Sequence, residues 1–227
     1  PAPIETLEDL LDALKLNAGK KDASLRKYVT KILGTAETSP ADPFATNGEY
    51  AKLLLFTTSR VSQLSSEVPK LWSKQPSLKQ VFGDLVAEIN DMLTELGGLA
   101  TPDQLTEAVH RVTPPRSEDA HRALLGVLRL VQLTVSRDPE AKKVFEVIRR
   151  GRSQTVVALT NTNSLGDLPE ALLEKALHAV DNAPTGIVDA RQLTDTLAEK
   201  AATIMGVRAQ DMPLTGDVLR EVATKAA

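Results

Sequence analysis

The residues whose types and spacing bear most directly on chemistry are Thr57, Thr58, Ser59, Ser62 and Gln63, within the run TTSRVSQL. Hydroxyls and a side-chain amide donate and accept hydrogen bonds but do not titrate near neutral pH, so their chemistry is recognition and not proton transfer. Set along the outer face of one helix, they suit the edges of bases in a DNA major groove. Gln63 has the geometry for a bidentate contact to adenine, worth ~1–3 kcal/mol. Arg60, Lys70 and Lys74 lie on the same stretch and are of the type that holds phosphate oxygens. A second cationic cluster, Arg149, Arg150 and Arg152 around Gly151, has the same capacity.

Other chemistry finds no support. The chain has no cysteine, which excludes disulfides, thiolate zinc sites and cysteine nucleophiles. His110, His121 and His178 fall on separate expected helices, none with a second ligand three or four residues on, so no metal site is expected. Gly19-Lys20 lacks the upstream glycine and following Ser/Thr of a phosphate loop, and no glycine-rich turn suits a dinucleotide. No serine is paired with a base. The expectation is no catalytic residue, no cofactor and no enzyme activity in this chain.

The elements that must position these residues are mostly helices. Asn47 to Trp72 reads as two short helices joined by a tight turn, with Thr46 or Asn47 as N-cap. Ala51 is the small residue where the second helix packs, and Val61 and Leu64 are its inward side chains. Pro69 ends or kinks the second helix, because it has no backbone N–H to donate. Residues 4–34 form two helices: Leu7, Leu10, Leu11 and Leu14 stripe the first, which Asn17-Ala18-Gly19 ends. Leu25, Tyr28, Val29, Ile32 and Leu33 line the second, closed by Gly34. Residues 78–96 carry the strongest helical period, with Gly97 as C-terminal stop. Thr101-Pro102-Asp103 starts the next helix and Pro114-Pro115 stops it. Ser117 opens a third, with Ala123, Leu124, Val127, Leu128 and Val131 inward.

Beyond Arg137-Asp138-Pro139 the period changes. Val144–Ile148 and Thr155–Leu159 are β-branched, strand-length runs around a turn, Arg149-Arg150-Gly151-Arg152. Three helices followed by a hairpin with a basic tip is the order of a winged helix, in which the third helix is the usual reader. The expected fold is mainly α: tandem helix-turn-helix and winged-helix units with one small β-hairpin wing. The segments are 1–34 (helical pair), 35–77 (helix-turn-helix), 78–160 (winged unit) and 161–227 (a second, wingless unit).

An internal repeat supports the tandem reading. GLATPDQLTEAV at 98–109 recurs 88 positions later as GIVDARQLTDTL at 186–197, and upstream Leu85, Ile89 and Met92 are matched by Leu173, Leu177 and Val180. Asp189 takes the N-cap role of Thr101, and Leu214–Ala226 stands where the third helix of the first copy stands.

Aromatics are only 3% of the chain, so the core must be built from aliphatic side chains, as packed helices usually are. No apolar run approaches the ~20 residues that span a bilayer, and no signal peptide opens the chain. The expected location is cytoplasmic, with no membrane partner. The first residue, Pro1, fits a piece of a longer protein. Net charge is −3, but it is segregated: five basic against three acidic residues at 41–80, one against six at 81–115, nine against five at 116–160, and six against ten at 161–227. Only such segregation gives an acidic protein a local nucleic-acid footprint.

The helix pair around TSRVSQL resembles the helix-turn-helix of sigma-factor region four. Together with TELGGLATPDQLTEAV it looks like the helix-turn-helix-rich, non-kinase region of the serine/threonine kinases of phage-growth-limitation (BREX-type) defence systems. The resemblance implies a nucleic-acid-facing or partner-facing module, with double-stranded DNA as ligand. Leu55 and Pro69 depart from the pattern, the first standing where such turns usually carry glycine. The alternative is a protein-interaction scaffold for a defence or transcription complex, favoured by the acidic segments.

Overall fold

A computed structural model describes residues 3–36, 39–40, 42–137, 144–150, 154–158, 168–184, 186–208, 210 and 214–226. The protein is mainly α-helical. It divides into two compact units, one of Pro1–Ile89 with Leu105–Lys142, the other of Asn90–Gln104 with Lys143–Ala227. These limits are not those of the four expected segments: residues 1–34 and 35–77 fall in one unit.

In the first unit α1 (Leu7–Lys21) starts from a capping box. Thr6 Oγ1 accepts from the Asp9 N–H at 3.4 Å and the Thr6 N–H donates to Asp9 Oδ2 at 3.1 Å. Contrary to expectation, Asn17-Ala18-Gly19 does not end it. Asn17 and Ala18 are buried, and Gly19 leaves room for the Arg26 side chain, which a Cβ there would meet at 3.0 Å. The stop is Asp22, whose N–H donates to Ala18 O at 3.1 Å. The same residue starts α2 (Ala23–Ile32), its carboxylate accepting from the Ser24 N–H at 2.7 Å.

Helix α2 is the hub of this unit. Leu25, Tyr28, Val29 and Ile32 are fully buried, as is Leu33 just beyond. Helices α1, α3 (Asn47–Leu54), α4 (Thr58–Glu67) and α8 (His121–Val135) all pack on it. Tyr28 meets Tyr50 of α3 edge-on at 5.4 Å, and the Tyr50 hydroxyl donates to Pro43 O at 3.0 Å. The contact with α8 is the closest: a Cβ on Gly126 would lie 2.5 Å from Ile32 O and 2.7 Å from Leu33 Cα. One turn earlier on α8, the Arg122 guanidinium donates to the last carbonyls of α2, Ile32 O at 2.6 Å and Lys31 O at 3.2 Å, and to Pro40 O at 3.1 Å. It thus satisfies acceptors that a helix end leaves open.

Helix α4 is followed by α5 (Pro69–Trp72), with Pro69 at its first position, and by α6 (Pro76–Glu95). Then come α7 (Pro102–Val112) and α8. The third helix of this run does not open at Ser117 as expected. It begins at His121 behind an Ala120 cap, because the Ser117 hydroxyl accepts from the Asp119 N–H at 3.3 Å within its own turn. Nor does α8 present a reading face: none of its residues from Arg122 to Val135 is exposed.

The second unit holds a three-stranded antiparallel sheet in the order β1-β3-β2, with β1 (Leu99–Ala100), β2 (Glu146–Arg150) and β3 (Gln154–Ala158). Strand β1, absent from the sequence expectation, pairs Leu99 with Ala158 and Ala100 with Val157. Helices α9 (Leu168–Asp181), α10 (Ala190–Met205) and α11 (Gly216–Ala226) pack on one another, and α11 also lies on β1 and β3. Their core joins Leu99 to Leu168, Leu172, Leu197, Val218 and Leu219. Thr101, fully buried, donates to Glu221 of α11 at 2.9 Å. The repeat is visible in local geometry. Gly98 and Gly186 both take positive φ, at 90° and 68°, and Thr101 and Asp189 both accept from N–H groups of the helices that follow them.

Gly126→Ala is expected to destabilise the protein by ~1–3 kcal/mol, since the new methyl meets backbone and not a movable side chain. Gly83→Ala in α6, where nothing lies within 4 Å, is expected to stabilise it by ~0.5–1 kcal/mol. Denaturant midpoints of the two variants check both, and a Gly126→Ala midpoint at or above the parent's refutes the close crossing.

Candidate nucleic-acid interface

The expected recognition residues lie on α4, and its local chemistry explains their placement. Helix α3 begins with a capping box between Thr46 and Glu49. It ends with the two bonds of a Schellman closure, Phe56 N–H to Ala51 O at 2.9 Å and Leu55 N–H to Lys52 O at 3.4 Å. That closure puts Leu55 in the left-handed region at φ 56°, the position where glycine is usual. The chain then turns at once into α4, whose N-cap is Thr57: its hydroxyl accepts from the Arg60 N–H at 3.1 Å. Thr57 is thus engaged in holding the start of the helix.

Val61 and Leu64 are buried, as the spacing requires, and Thr58, Ser59, Ser62 and Gln63 are exposed together on the opposite face. Ser65 is buried also, and accepts from Arg137 Nη2 at 3.2 Å. The helix gives way to α5 at Pro69, so the exposed face is less than three turns long.

The cations expected to hold phosphate have partners within the chain. Arg60 pairs with Asp22 and reaches Gln63 Oε1 at 3.5 Å. Lys70 pairs with Glu67 at 2.9 Å. Lys74 donates to Asn17 O at 3.2 Å, beside a bond from Gln75 Nε2 to Asn17 Oδ1 at 3.2 Å. Beside α4 lies an open cavity of about 440 Å³ walled by Asp22, Leu25, Arg60, Gln63 and Glu67. Its two carboxylates oppose the entry of a phosphate. Asp22 is the residue that sequence reasoning missed. Its place between two helical periods, before Ala-Ser, is the signature of an N-cap, but nothing in the sequence points to Arg60, 38 residues away.

At the hairpin, Arg149 and Arg150 stand in β2, paired with Thr155 and Gln154, and not in the turn where the sequence put them. Strand pairing extends two residues further than the apolar pattern did. Arg152 lies outside the described residues, as do the side chains of Arg149 and Arg150. Among the described residues no cluster of His, Asp and Glu could hold a metal ion, and no helix is long and apolar enough to cross a membrane.

No family model, no curated protein and no solved structure matches the chain.

Two half-buried carboxyls, Asp22 and Asp9, contribute acid sensitivity to the first unit. Asp22 is held below the usual aspartate range by the Ser24 N–H, with the Arg60 charge adding to it. Asp9 is lowered by the Thr6 hydroxyl and by Arg116. A depressed native value contributes stability that is present above the unfolded pKa of about 3.9 and is lost as pH falls through the native one. Thermal midpoints are therefore expected to be level from pH 7 to about 5 and to fall below about 4. Asp22→Asn is expected to flatten the fall, and an equally steep fall in that variant excludes the role given to Asp22.

Proposed function

We propose that the chain is a DNA-binding module built from tandem helix-turn-helix and winged-helix units. In keeping with its resemblance to the helix-turn-helix-rich region of phage-defence kinases, we place it in a larger bacterial defence or regulatory protein. The observation that carries the reading is the α4 face. Thr58, Ser59, Ser62 and Gln63 stand exposed and adjacent over buried Val61 and Leu64, on a helix pinned at its start by the Thr57 cap. The chain order α6-β1-α7-α8-β2-β3, with β1 pairing to β3, is that of a winged helix, although most of α7 and all of α8 belong to the first compact unit and the strands to the second. Because α8 is buried, further contact with DNA falls to the hairpin and its arginines.

Binding here draws on few free cations, since Arg60 must leave Asp22 and Lys70 must leave Glu67 to meet phosphate. Fluorescence anisotropy on mixed-sequence duplexes is expected to show affinity falling with salt at a log–log slope of roughly −2 to −4, about −0.9 for each of a few phosphate contacts. Gln63→Ala is expected to weaken binding by ~1–3 kcal/mol at sites with adenine at the contacted position. No binding at low salt defeats the proposal.

A second reading, a protein-interaction scaffold, is favoured by Leu55. This side chain is 92% exposed and left-handed, a conformation that costs a non-glycine residue ~1–2 kcal/mol. Exposed Leu53 lies beside it in sequence, and the second unit exposes Leu177 and Ile187. Leu55→Gly is expected to stabilise the isolated chain by ~1 kcal/mol. On the scaffold reading it also weakens self-association in sedimentation velocity, whereas a monomer at every concentration removes self-association as the purpose of that leucine.

A further inference from the structure

Away from the α4 face, the first unit holds a second cavity, of about 450 Å³, in the size range of small-molecule sites. Pro69 and Trp72 of α5 and Phe82 of α6 give it an apolar wall, with Ser73 and, from α8, Thr134 beside them. Trp72 and Phe82 meet with ring centroids 5.3 Å apart at 42°, so two aromatic surfaces converge on one wall. In a chain with one tryptophan and four phenylalanines, the pair brings together two of its few aromatic rings.

Two exposed cations, Lys79 and Arg137, stand at this cavity beside the buried Trp72. Trp72 is only 2% exposed, yet its indole N–H has no acceptor among the described residues. A buried donor left unpaired is costly and calls for an explanation. Lys79 and Arg137 both line the cavity, and neither forms an ion pair with a carboxylate among the described residues. Arg137 Nη2 donates to Ser65 Oγ at 3.2 Å, which directs the exposed guanidinium. The contrast with Arg60 and Lys70 is direct, since each of those has its acid.

We propose that this cavity is a binding site for a small aromatic carboxylate. The apolar walls and the two rings take a flat hydrophobic body, and Lys79 and Arg137 supply the charge-assisted donors that a carboxylate accepts. Inorganic phosphate would leave the apolar wall unused, and an uncharged aromatic would leave the charge of Lys79 and Arg137 unused.

The test uses the single tryptophan, whose indole N–H gives one resonance in a nitrogen–proton correlation spectrum of the full chain. The probe is 2-naphthoate, with 2-naphthamide as its uncharged match. Naphthoate is expected to shift that resonance saturably, and the amide to bind at least about tenfold more weakly. Lys79→Gln and Arg137→Gln are each expected to weaken naphthoate binding several-fold, and Lys52→Gln to leave it unchanged. Arg137→Gln also removes the tie to Ser65. Lys79→Gln, at an exposed residue, carries the test if the arginine variant fails to fold. No saturable shift at millimolar naphthoate, equal binding of acid and amide, or indifference to Lys79→Gln overturns the assignment.

Discussion

The first unit depends on one close approach, the crossing of α2 and α8 at Gly126. There the backbone of Ile32 and Leu33 sits where any side chain on Gly126 would be. Arg122, one turn away, spans the end of α2 with hydrogen bonds to Lys31, Ile32 and Pro40. A helix end buried against another element needs such acceptor satisfaction, and a guanidinium supplies several directed donors from one side chain. Burial depresses the charged form of Arg122, and the nearby Tyr50 and Asp42 oppose that effect. Since α1, α3 and α4 also lie on α2, the setting of the α4 face follows from this contact.

Much of the local structure was legible in the sequence because local structure obeys short-range rules. The caps at Thr46, Thr101 and Asp189, the glycine stops at Gly34 and Gly97, and the break at Pro69 are each decided by residues within one turn. The misreadings share a cause. Gly19 stays helical because its neighbours Asn17 and Ala18 are buried, and Ser117 fails as a cap because its hydroxyl is spent two residues on. Strand β1, two residues long, exists only by pairing with β3, far along the chain. None of these is decided by the residue's own immediate pattern.

The candidate site divides in the same way. The exposed and buried faces of α4 follow from a 3.6-residue period and were readable. The partners of its cations were not, because Asp22 and Asn17 come from other helices. The internal repeat shows how far tertiary context can separate similar sequences. Leu85, Ile89 and Met92 are buried, while at the matching positions Leu177 is 55% exposed and Val180 is also exposed. Leu99 is buried in the sheet, and its counterpart Ile187 is 77% exposed.

Asp22 closes α1, opens α2 and pairs with Arg60 of α4. A joint of one residue leaves no slack for dissection. Cutting the chain on either side of it strips a cap from one helix or the other and unpairs the arginine at the start of α4. A shortened version beginning at α3 would also bare the apolar side of α4 that α2 covers. The amino-terminal helices are for that reason a condition of any experiment on the α4 face, and not an appendage to be trimmed from it.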